Sequence, residues 1–343
     1  MDENGNGKHE IALDKWRELY ELADEIKHLA PWKVLWDTDL FIISLPQYPE
    51  PFYCSTMGKI GECMAIGVYP GSEGINSYVR MVDALKADPP FITGLAQVCT
   101  LCYFGDRQEI SEQDREVYKA LNLKFRGSNE WIYFRSMEPG YFPWYLNAAQ
   151  VDQMVAVFRQ YIEAYQYWLT LPKQDDADTD VIIKRYYSDE KAQWVNTAES
   201  VYPIEYMLSR VTITDDLFAS RLKKQKVIQQ SIEYDCVYMP FQVREKKSDR
   251  PIMPWILLMA DRKSGIVLNQ HMGSPQDSIA NAVLGMLAEY INKNGRPSDI
   301  YIRDDWMANY TEDFCKKVGI KLHVKKVMHA MNRIITQLSN SAF

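Results

Sequence analysis

Several features that define particular protein classes are missing from this sequence. The chain of 343 residues has no run of 18 apolar residues, so no transmembrane helix is predicted. Its opening residues, MDENGNGKHE, are polar and acidic, which is the reverse of a signal peptide. There is no surplus of positive charge, because 39 Lys and Arg face 46 Asp and Glu and give a net charge of -7. A surface devoted to phosphate binding needs such a surplus. These absences predict a cytoplasmic protein with no membrane partner.

Motifs for metal binding and nucleophilic catalysis are also missing. None of the five histidines lies four residues from another histidine or from a cysteine, which argues against a zinc cluster. Cys99 and Cys102 form a C-x-x-C pair, but in the strand-like run QVCTLCYFG positions three apart point to opposite faces. No serine-hydrolase elbow and no phosphate-binding Walker motif occurs. We therefore expect no cofactor, and we expect the six cysteines to be reduced thiols.

What the sequence does contain is enough apolar material for two separate cores. Apolar residues make up 47% of the chain and aromatic residues 13%, spread through both halves. A chain of this length is long for one domain and comfortable for two. The run KQDDADTD, at 173–180, is the clearest break in composition. The prediction is an N-terminal domain over 1–172, a linker or connecting arm over 173–229, and a C-terminal domain over 230–343.

Apolar periodicity in the first half predicts a mixed α+β domain. Residues 10–30 repeat apolar side chains with the period of an amphipathic helix, which Pro31 ends. Apolar runs bounded by Pro and Gly at 39–45, 52–57 and 63–70 predict strands. Helices and strands then alternate up to the long helix NAAQVDQMVAVFRQYIEAYQYWLTL. Such an order is typical of an α+β domain.

The second half has a different order of elements. Three predicted strands are followed by helix, strand, helix, strand and helix. The second and third strands, in MPWILLMADRKSGIVLNQHMG, turn between Asp261 and Gly265. The fourth, SDIYIRDD, is a nearly continuous apolar run of the kind buried on both faces of a sheet. It ends at Asp304 and Asp305, just before a helix, and the order predicts an α/β domain.

This order resembles the ribonuclease H-like fold of retroviral-type integrases and cut-and-paste transposases. The segment LLMADRKSGIVL, with Asp261 and Ser264 at its turn, is similar to a strand-turn-strand unit of those proteins. The segment PSDIYIRDDWMANYTEDFCKKVGIKL is similar to their fourth strand and next helix, and Asp304 takes the place of a metal-binding aspartate. The resemblance implies a ribonuclease H-like topology in which strands one and four are neighbours. It also implies an acidic residue in strand one, for which Asp235 is the match.

The chemistry of those proteins needs several carboxylates at one place. Two metal ions about 4 Å apart hold the attacking and leaving oxygens, and carboxylates must converge to bind them. By resemblance, Asp235 and Asp304 are the candidate catalytic residues, and together with Asp305 they are the candidate metal ligands. The place of a third transposase carboxylate falls on Ser339 here. The surrounding segment, VMHAMNRIITQLSNSAF, contains no Asp or Glu.

The missing carboxylate decides between two functions. Glu312 and Asp313 lie on the helix after Asp304, but residues that far along a helix tend to point away from the strand end. We therefore predict a non-catalytic binding or interaction module with a degenerate ribonuclease H-like domain. Its partner is unidentified; a protein is one candidate, and nucleic acid is not favoured by the net charge of -7. The alternative is a nuclease or strand-transfer-like enzyme that acts on nucleic acid with Mg²⁺ or Mn²⁺.

The whole chain also resembles a two-domain group of bacterial proteins of unknown function. The likeness is carried by FYCSTMGKIGECMAIGVYPGSEG, at 52–74, and by an RP-I-V pattern followed by GI-V in the second half. The glycines of the first run predict a hairpin turn at Gly58 and Gly61. A helix entered near Ser72 and Gly74 has unpaired N–H groups that are able to receive an anion. The aromatic run EPGYFPWYLN predicts either a seal between the sheet and the last helix of the first domain or a binding surface.

Overall fold

The chain folds into two compact units, each built around its own β-sheet. The structure, a computed structural model, describes residues 13–85, 97–172, 181–200, 210–239, 241–244 and 249–341. The first unit falls within Met1–Ile75, Val98–Met137 and Pro143–Ile204, and the second within Asn76–Gln97, Glu138–Phe142 and Glu205–Phe343. Both units combine helices with a sheet of mixed strand direction, so the predicted α+β class is confirmed.

Up to the long helix, the elements of the first half follow the predicted order. They are α1 (Leu13–Leu29), β1 (Phe41–Ser44), β2 (Phe52–Met57), β3 (Ala65–Pro70), α2 (Gly71–Leu85), β4 (Cys99–Gly105), α3 (Glu112–Leu121), β5 (Trp131–Met137), α4 (Ala148–Thr170), β6 (Val181–Ser188) and β7 (Gln193–Ser200). The predicted turn between β2 and β3 is present, and the amide of Gly61 donates to the carbonyl of Gly58 at 2.9 Å. The predicted helix start at residues 10–12 lies outside the described residues.

The seven strands of the first unit form one sheet in the order β5-β4-β3-β2-β1-β6-β7. All neighbours are antiparallel except β1 and β6, which are parallel. Helices α1 and α4 supply apolar side chains to the core at helical spacing, among them Leu19, Ala23 and Ile26 of α1. Asn147 caps α4 by accepting from the amide of Gln150. The core lies between these helices and the sheet.

The segment predicted as a connecting arm, 173–229, has a different role in the structure. Residues 181–200 form β6 and β7 and complete the first sheet. The parallel pairing of β6 with β1 buries Ile183 in the core. The free energy gained by burying this apolar side chain favours the addition of β6 and β7 to the sheet. The later part of the segment contains α5 (Asp216–Lys223), which lies in the second unit. Residues 173–180 and 201–209 lie outside the described residues.

The second unit continues with β8 (Val227–Tyr238), β9 (Trp255–Asp261), β10 (Val267–Gly273), α6 (Ile279–Asn294), β11 (Arg296–Ile302), α7 (Asp305–Val318), β12 (Lys321–Val324) and α8 (His329–Ser341). Its sheet has the order β10-β9-β8-β11-β12. The first three strands form an antiparallel meander, and β11 is parallel to both β8 and β12. The first and fourth strands of this unit are therefore neighbours, as the resemblance implied.

Helices cover both faces of this second sheet. On one face, alternate residues of β8 such as Tyr234 and Cys236 pack with apolar side chains of α6 and α7. On the other, Val237 packs with Met331 and Ile335 of α8. Two acidic residues, Glu233 and Asp235, share the α8 face of β8, because side chains two apart on a strand point the same way. Among the described residues, no helix combines the length and apolar character needed to cross a membrane.

Candidate functional site

The two candidate aspartates lie on neighbouring strands of the second sheet. Asp235 is in the buried half of β8, and Asp304 lies two residues after Ile302, the last residue of β11. Strands β8 and β11 run parallel, with Tyr301 opposite Glu233 in the register. Continuing that register brings the end of β11 beside Asp235. The charge of Asp304 is accordingly one of the causes that raise the pKa of Asp235.

Arg303 occupies the position beside Asp235. Its Nε donates to Oδ2 of Asp235 at 2.7 Å, and the two side chains are only 11% and 3% exposed. Burial raises the pKa of Asp235 above its ordinary value, although the positive charge of Arg303 opposes that effect. For Arg303, burial lowers the pKa, but the charge and hydrogen bond of Asp235, together with the charges of Asp304 and Glu233, raise it overall. The pair is therefore a buried ion pair of the second unit.

Arg303 is held on its other side by α8. Its Nη2 donates to Oδ1 of Asn332 at 2.9 Å, and its Nη1 lies 3.4 Å from the carbonyl of Lys326. These bonds fix the guanidinium between the sheet and the last helix. Arg303 therefore has a fixed position against Asp235, whereas a cation on the surface can move aside.

Asp304 is paired with a second arginine of the same unit. The Nε of Arg80, on α2, donates to Oδ2 of Asp304 at 3.3 Å, and the arginine side chain is 8% exposed. The guanidinium of Arg80 also lies 3.9 Å from the centroid of the Trp306 ring, a cation–π contact. Burial lowers the pKa of Arg80, but the charge and hydrogen bond of Asp304, together with the effects of Tyr238 and Asp235, raise it overall. The charge of Asp304 is thus compensated by an arginine, as is the charge of Asp235.

The same Asp304 side chain starts helix α7. Its Oδ1 accepts the amide of Met307 at 3.0 Å, which makes Asp304 the N-cap residue. Asp305 is the first residue of α7 and is exposed, where its charge interacts favourably with the helix dipole. For the adjacent aspartates in RDDWMANYTEDF, the structure thus shows the geometry of a helix start.

The two acidic residues weighed as substitute ligands have other partners. Glu312 forms an ion pair with Arg210, at 2.8 Å. The carboxylate of Asp313 accepts the amide of Ile213 at 2.7 Å. Both carboxylates therefore face α5 and the segment before it, and neither is brought to Asp235.

Sequence reasoning missed Glu233, a third carboxylate on the same strand. Its side chain is 1% exposed, and its Oε2 accepts the amide of Met331 in the first turn of α8 at 2.8 Å. Arg262 lies 3.7 Å from its Oε1 and also stacks over Tyr301. The spacing E-Y-D was a readable signal, because residues two apart share a face of a strand. Arg303 lies near this third charge too, since Glu233 contributes to its raised pKa.

The donor set of this cluster does not fit a divalent metal ion. Each carboxylate is already bonded, Asp235 to Arg303, Asp304 to Arg80, and Glu233 to a helix amide. A metal ion would have to displace at least one buried guanidinium, which would then lack a counter-charge. Within the described residues, no group of three His, Cys, Asp or Glu is arranged to hold a metal ion.

Other candidate residues from the sequence make contacts within the fold or are buried in it. The amide of Ser72, at the start of α2, donates to the carboxylate of Glu50 at 3.2 Å, so an internal anion already occupies that helix start. In the aromatic run, the amide of Phe142 donates to the carbonyl of Pro251 at 3.0 Å, and Trp144 forms a β-bridge with Ser136. All six cysteines are free thiols, and every one except Cys63 is buried.

The chain is similar to two families whose functions are not known. Residues 16–185 match a family described as a domain of unknown function (DUF7309), and residues 219–339 match another described in the same way (DUF6930). No curated protein matches the chain.

One solved structure with some similarity is described as a cryoEM structure of simian T-cell lymphotropic virus intasome in complex with PP2A regulatory subunit B56 gamma. The identity is 14% and the TM-score 0.24, over 36% of this chain and 45% of that chain. The match thus spans less than half of that chain's length, and a score this low is not evidence of a shared fold.

Proposed function

We propose that the second unit is a degenerate ribonuclease H-like domain that serves as a non-catalytic binding module. The observation that supports this most is the pairing of Asp235 with Arg303 and of Asp304 with Arg80. In this proposal the two arginines supply the positive charge that a metal ion would supply in an active relative. The strand order β10-β9-β8-β11-β12, with β8 beside β11, supports the assignment of the fold.

The energetics favour arginine over metal at this position. Breaking a buried ion pair by removing one partner costs about 3–5 kcal/mol, because the other charge is left uncompensated. Arg303 is also bonded to Asn332, so it cannot leave Asp235 without losing that bond as well. A metal ion would have to offset both losses with only the carboxylates of this cluster.

The proposed binding partner is a protein rather than nucleic acid. The net charge of -7 supports this choice, because nucleic-acid binding draws most of its affinity from Lys and Arg contacts to phosphates. A cytoplasmic location is part of the proposal and is supported by the six free thiols. The bacterial origin is also part of the proposal, and the 52–74 motif supports it.

The decisive experiment measures melting of the full chain with and without millimolar Mn²⁺ or Mg²⁺. A metal ion that binds the folded protein, at a free concentration of about 100 times its Kd, would add about 2.7 kcal/mol to the free energy of unfolding. We expect the melting temperature to be unchanged. We also expect purified protein to leave single- and double-stranded DNA and RNA intact in the presence of either ion.

The matched control is Asp304→Asn, which keeps a side-chain acceptor at the N-cap and removes the charge. The proposal is wrong if Mn²⁺ raises the melting temperature of the wild type and not that of Asp304→Asn. It is equally wrong if the wild type cuts nucleic acid and Asp235→Asn does not. The first result would show a metal site at Asp304, and the second would establish the alternative, a metal-dependent nuclease or strand-transfer-like enzyme.

A further inference from the structure

A buried arginine in the first unit is short of negative charge. Arg185 lies on β6, and its side chain is 8% exposed. The nearest carboxylate is that of Glu163, 3.9 Å from Nη2 and itself 56% exposed. Buried arginines are normally paired with a carboxylate at hydrogen-bond distance, because desolvation of a cation is costly.

The hydrogen bonds of Arg185 go to neutral amides instead. Its Nε donates to Oε1 of Gln160 on α4 at 2.8 Å, and its Nη1 donates to Oδ1 of Asn196 on β7 at 3.0 Å. The indole ring of Trp194 lies 5.3 Å from the guanidinium. These contacts fix the orientation of the guanidinium without neutralising its charge.

Other shielded arginines of this chain are better compensated. Arg135 makes two hydrogen bonds to the carboxylate of Asp114, at 2.9 and 2.7 Å, and Arg80 and Arg303 each bond to an aspartate. In all three, burial lowers the pKa but neighbouring negative charge raises it by more. Burial lowers the pKa of Arg185 by more than Glu163 raises it. Arg185 therefore has the least compensated charge of the four.

The amides around Arg185 present further donors. Each amide oxygen accepts from the guanidinium, so the –NH₂ groups of Gln160 and Asn196 remain available. Within the part of the chain that the structure describes, neither –NH₂ group donates to a protein acceptor, and Nη2 of Arg185 has no acceptor within hydrogen-bond distance. A cation and two amide donors are thus grouped between α4 and the β6–β7 ribbon.

We propose that Arg185, Gln160 and Asn196 form a binding site for the oxyanion of a small ligand, either a carboxylate or a phosphate group. Charge-assisted hydrogen bonds from a guanidinium to an oxyanion are about twice as strong as neutral ones. The exposed carboxylate of Glu163 holds the site weakly in the absence of ligand and swings aside when the ligand binds. Trp194 and Tyr187, which meet edge to face, form the aromatic side of the site.

The test is a calorimetric titration of the full chain with inorganic phosphate and, separately, with citrate, at constant ionic strength. We expect saturable millimolar or tighter binding of at least one anion, and loss of that binding in Arg185→Gln. The two titrations distinguish a phosphate from a carboxylate ligand. Lys184→Gln is the matched control. It removes a positive charge from the residue directly before Arg185 on β6, and the side chain of Lys184 lies on the opposite face of the strand.

Two more variants keep the test decisive if Arg185→Gln does not fold. Glu163→Gln removes the competing carboxylate and should tighten anion binding several-fold. Asn196→Asp places a carboxylate 3.0 Å from Nη1, so it should raise the melting temperature and abolish anion binding. The proposal is overturned if no saturable binding is found, or if binding is equal in wild type and Arg185→Gln. It is also overturned if Glu163→Gln binds no more tightly, or if Asn196→Asp neither stabilises the protein nor abolishes binding.

Discussion

At the scale of single residues, each candidate carboxylate of the second unit is paired with an arginine that compensates its charge. A carboxylate as deeply buried as Asp235 is stable in its charged form only next to a positive group. Arg303 is that group, and it is the residue directly before Asp304. Two adjacent residues thus have different roles. Arg303 is the cation that pairs with Asp235, and Asp304 is the second candidate carboxylate.

Removing Arg303 should reveal how strongly Asp235 depends on it. We expect Arg303→Met to lower the free energy of unfolding by about 3–5 kcal/mol at neutral pH, because Asp235 then lacks a partner. Burial already raises the folded-state pKa of Asp235 above the ordinary 3.8, and loss of Arg303 raises it further. A raised folded-state pKa gives stability that is present at low pH and is lost as pH rises through that pKa. Urea unfolding between pH 7 and about pH 4 should therefore show a smaller deficit in acid.

The control for this prediction is the double variant Asp235→Asn with Arg303→Met, which removes both charges. It should recover most of the stability lost in Arg303→Met, and its deficit should not depend on pH. If the single variant is as destabilised in acid as at neutral pH, the loss comes from packing of the arginine side chain and not from the buried charge.

At the scale of elements, α7 begins at a residue with two tasks. Asp304 caps the helix through the amide of Met307 and also pairs with Arg80. Its position in the sequence is consistent with a metal ligand at a strand end and with a helix cap. The two tasks are separable by substitution, because asparagine caps helices nearly as well as aspartate.

We expect Asp304→Ala to be less stable than Asp304→Asn by about 1 kcal/mol, the usual contribution of an N-cap side chain. Both variants lose the ion pair with Arg80, so the difference isolates the cap. Thermal or chemical unfolding of the two proteins measures it. Ser278→Ala, which removes the cap of α6 where no ion pair is involved, is the control and should cost a similar amount. Equal stability of the two Asp304 variants would contradict the capping role.

A pair of glycines tests the turn between β9 and β10. Gly265 has φ +72°, a left-handed conformation that costs a residue with a Cβ about 1–2 kcal/mol, so Gly265→Ala should destabilise the protein by at least about 1 kcal/mol. Gly285 lies in α6, where a Cβ would meet nothing within 4 Å, so Gly285→Ala should stabilise it by about 1 kcal/mol. Unfolding by denaturant measures both, and a Gly265→Ala variant at least as stable as the wild type would contradict the described turn.

At the scale of the whole molecule, the second unit is discontinuous in sequence. It contains Arg80 from one earlier segment and Glu138–Phe142 from another. In the latter, the carbonyl of Gly140 accepts the amide of Met253 at 2.7 Å. A chain cut at the predicted domain boundary would lack both segments.

A fragment starting at residue 205 should therefore be less stable than the same unit in the full chain. It leaves Asp304 without Arg80, and Met253 without its backbone acceptor. Circular dichroism melting of the fragment and of the intact protein makes the comparison. A fragment that melts at the same temperature as the full chain would show that the earlier segments add nothing to this unit.

Local patterns in the sequence were enough to predict most elements of the second unit. The order from β8 to α8 follows from apolar runs, and the β9–β10 turn follows from Asp261 to Gly265. Strand β8 begins at Val227, before the predicted domain start at 230, because its polar residues Gln229, Gln230 and Ser231 carry a weak strand signal. The pairing of β6 with β1 was missed, because a parallel contact between distant segments leaves no local pattern.

The sequence by itself determined the class of the fold, the order of elements in the second unit, and the position of Asp304 at a helix start. These properties depend on backbone preferences and on apolar periodicity within a few residues. Only the tertiary structure decided what each acidic side chain faces. Arg80 is 224 positions from Asp304, and it becomes the partner of that carboxylate only through the folding of the second unit. The physical reason is that charges act over a few ångströms in space, so their partners are set by packing rather than by separation along the chain.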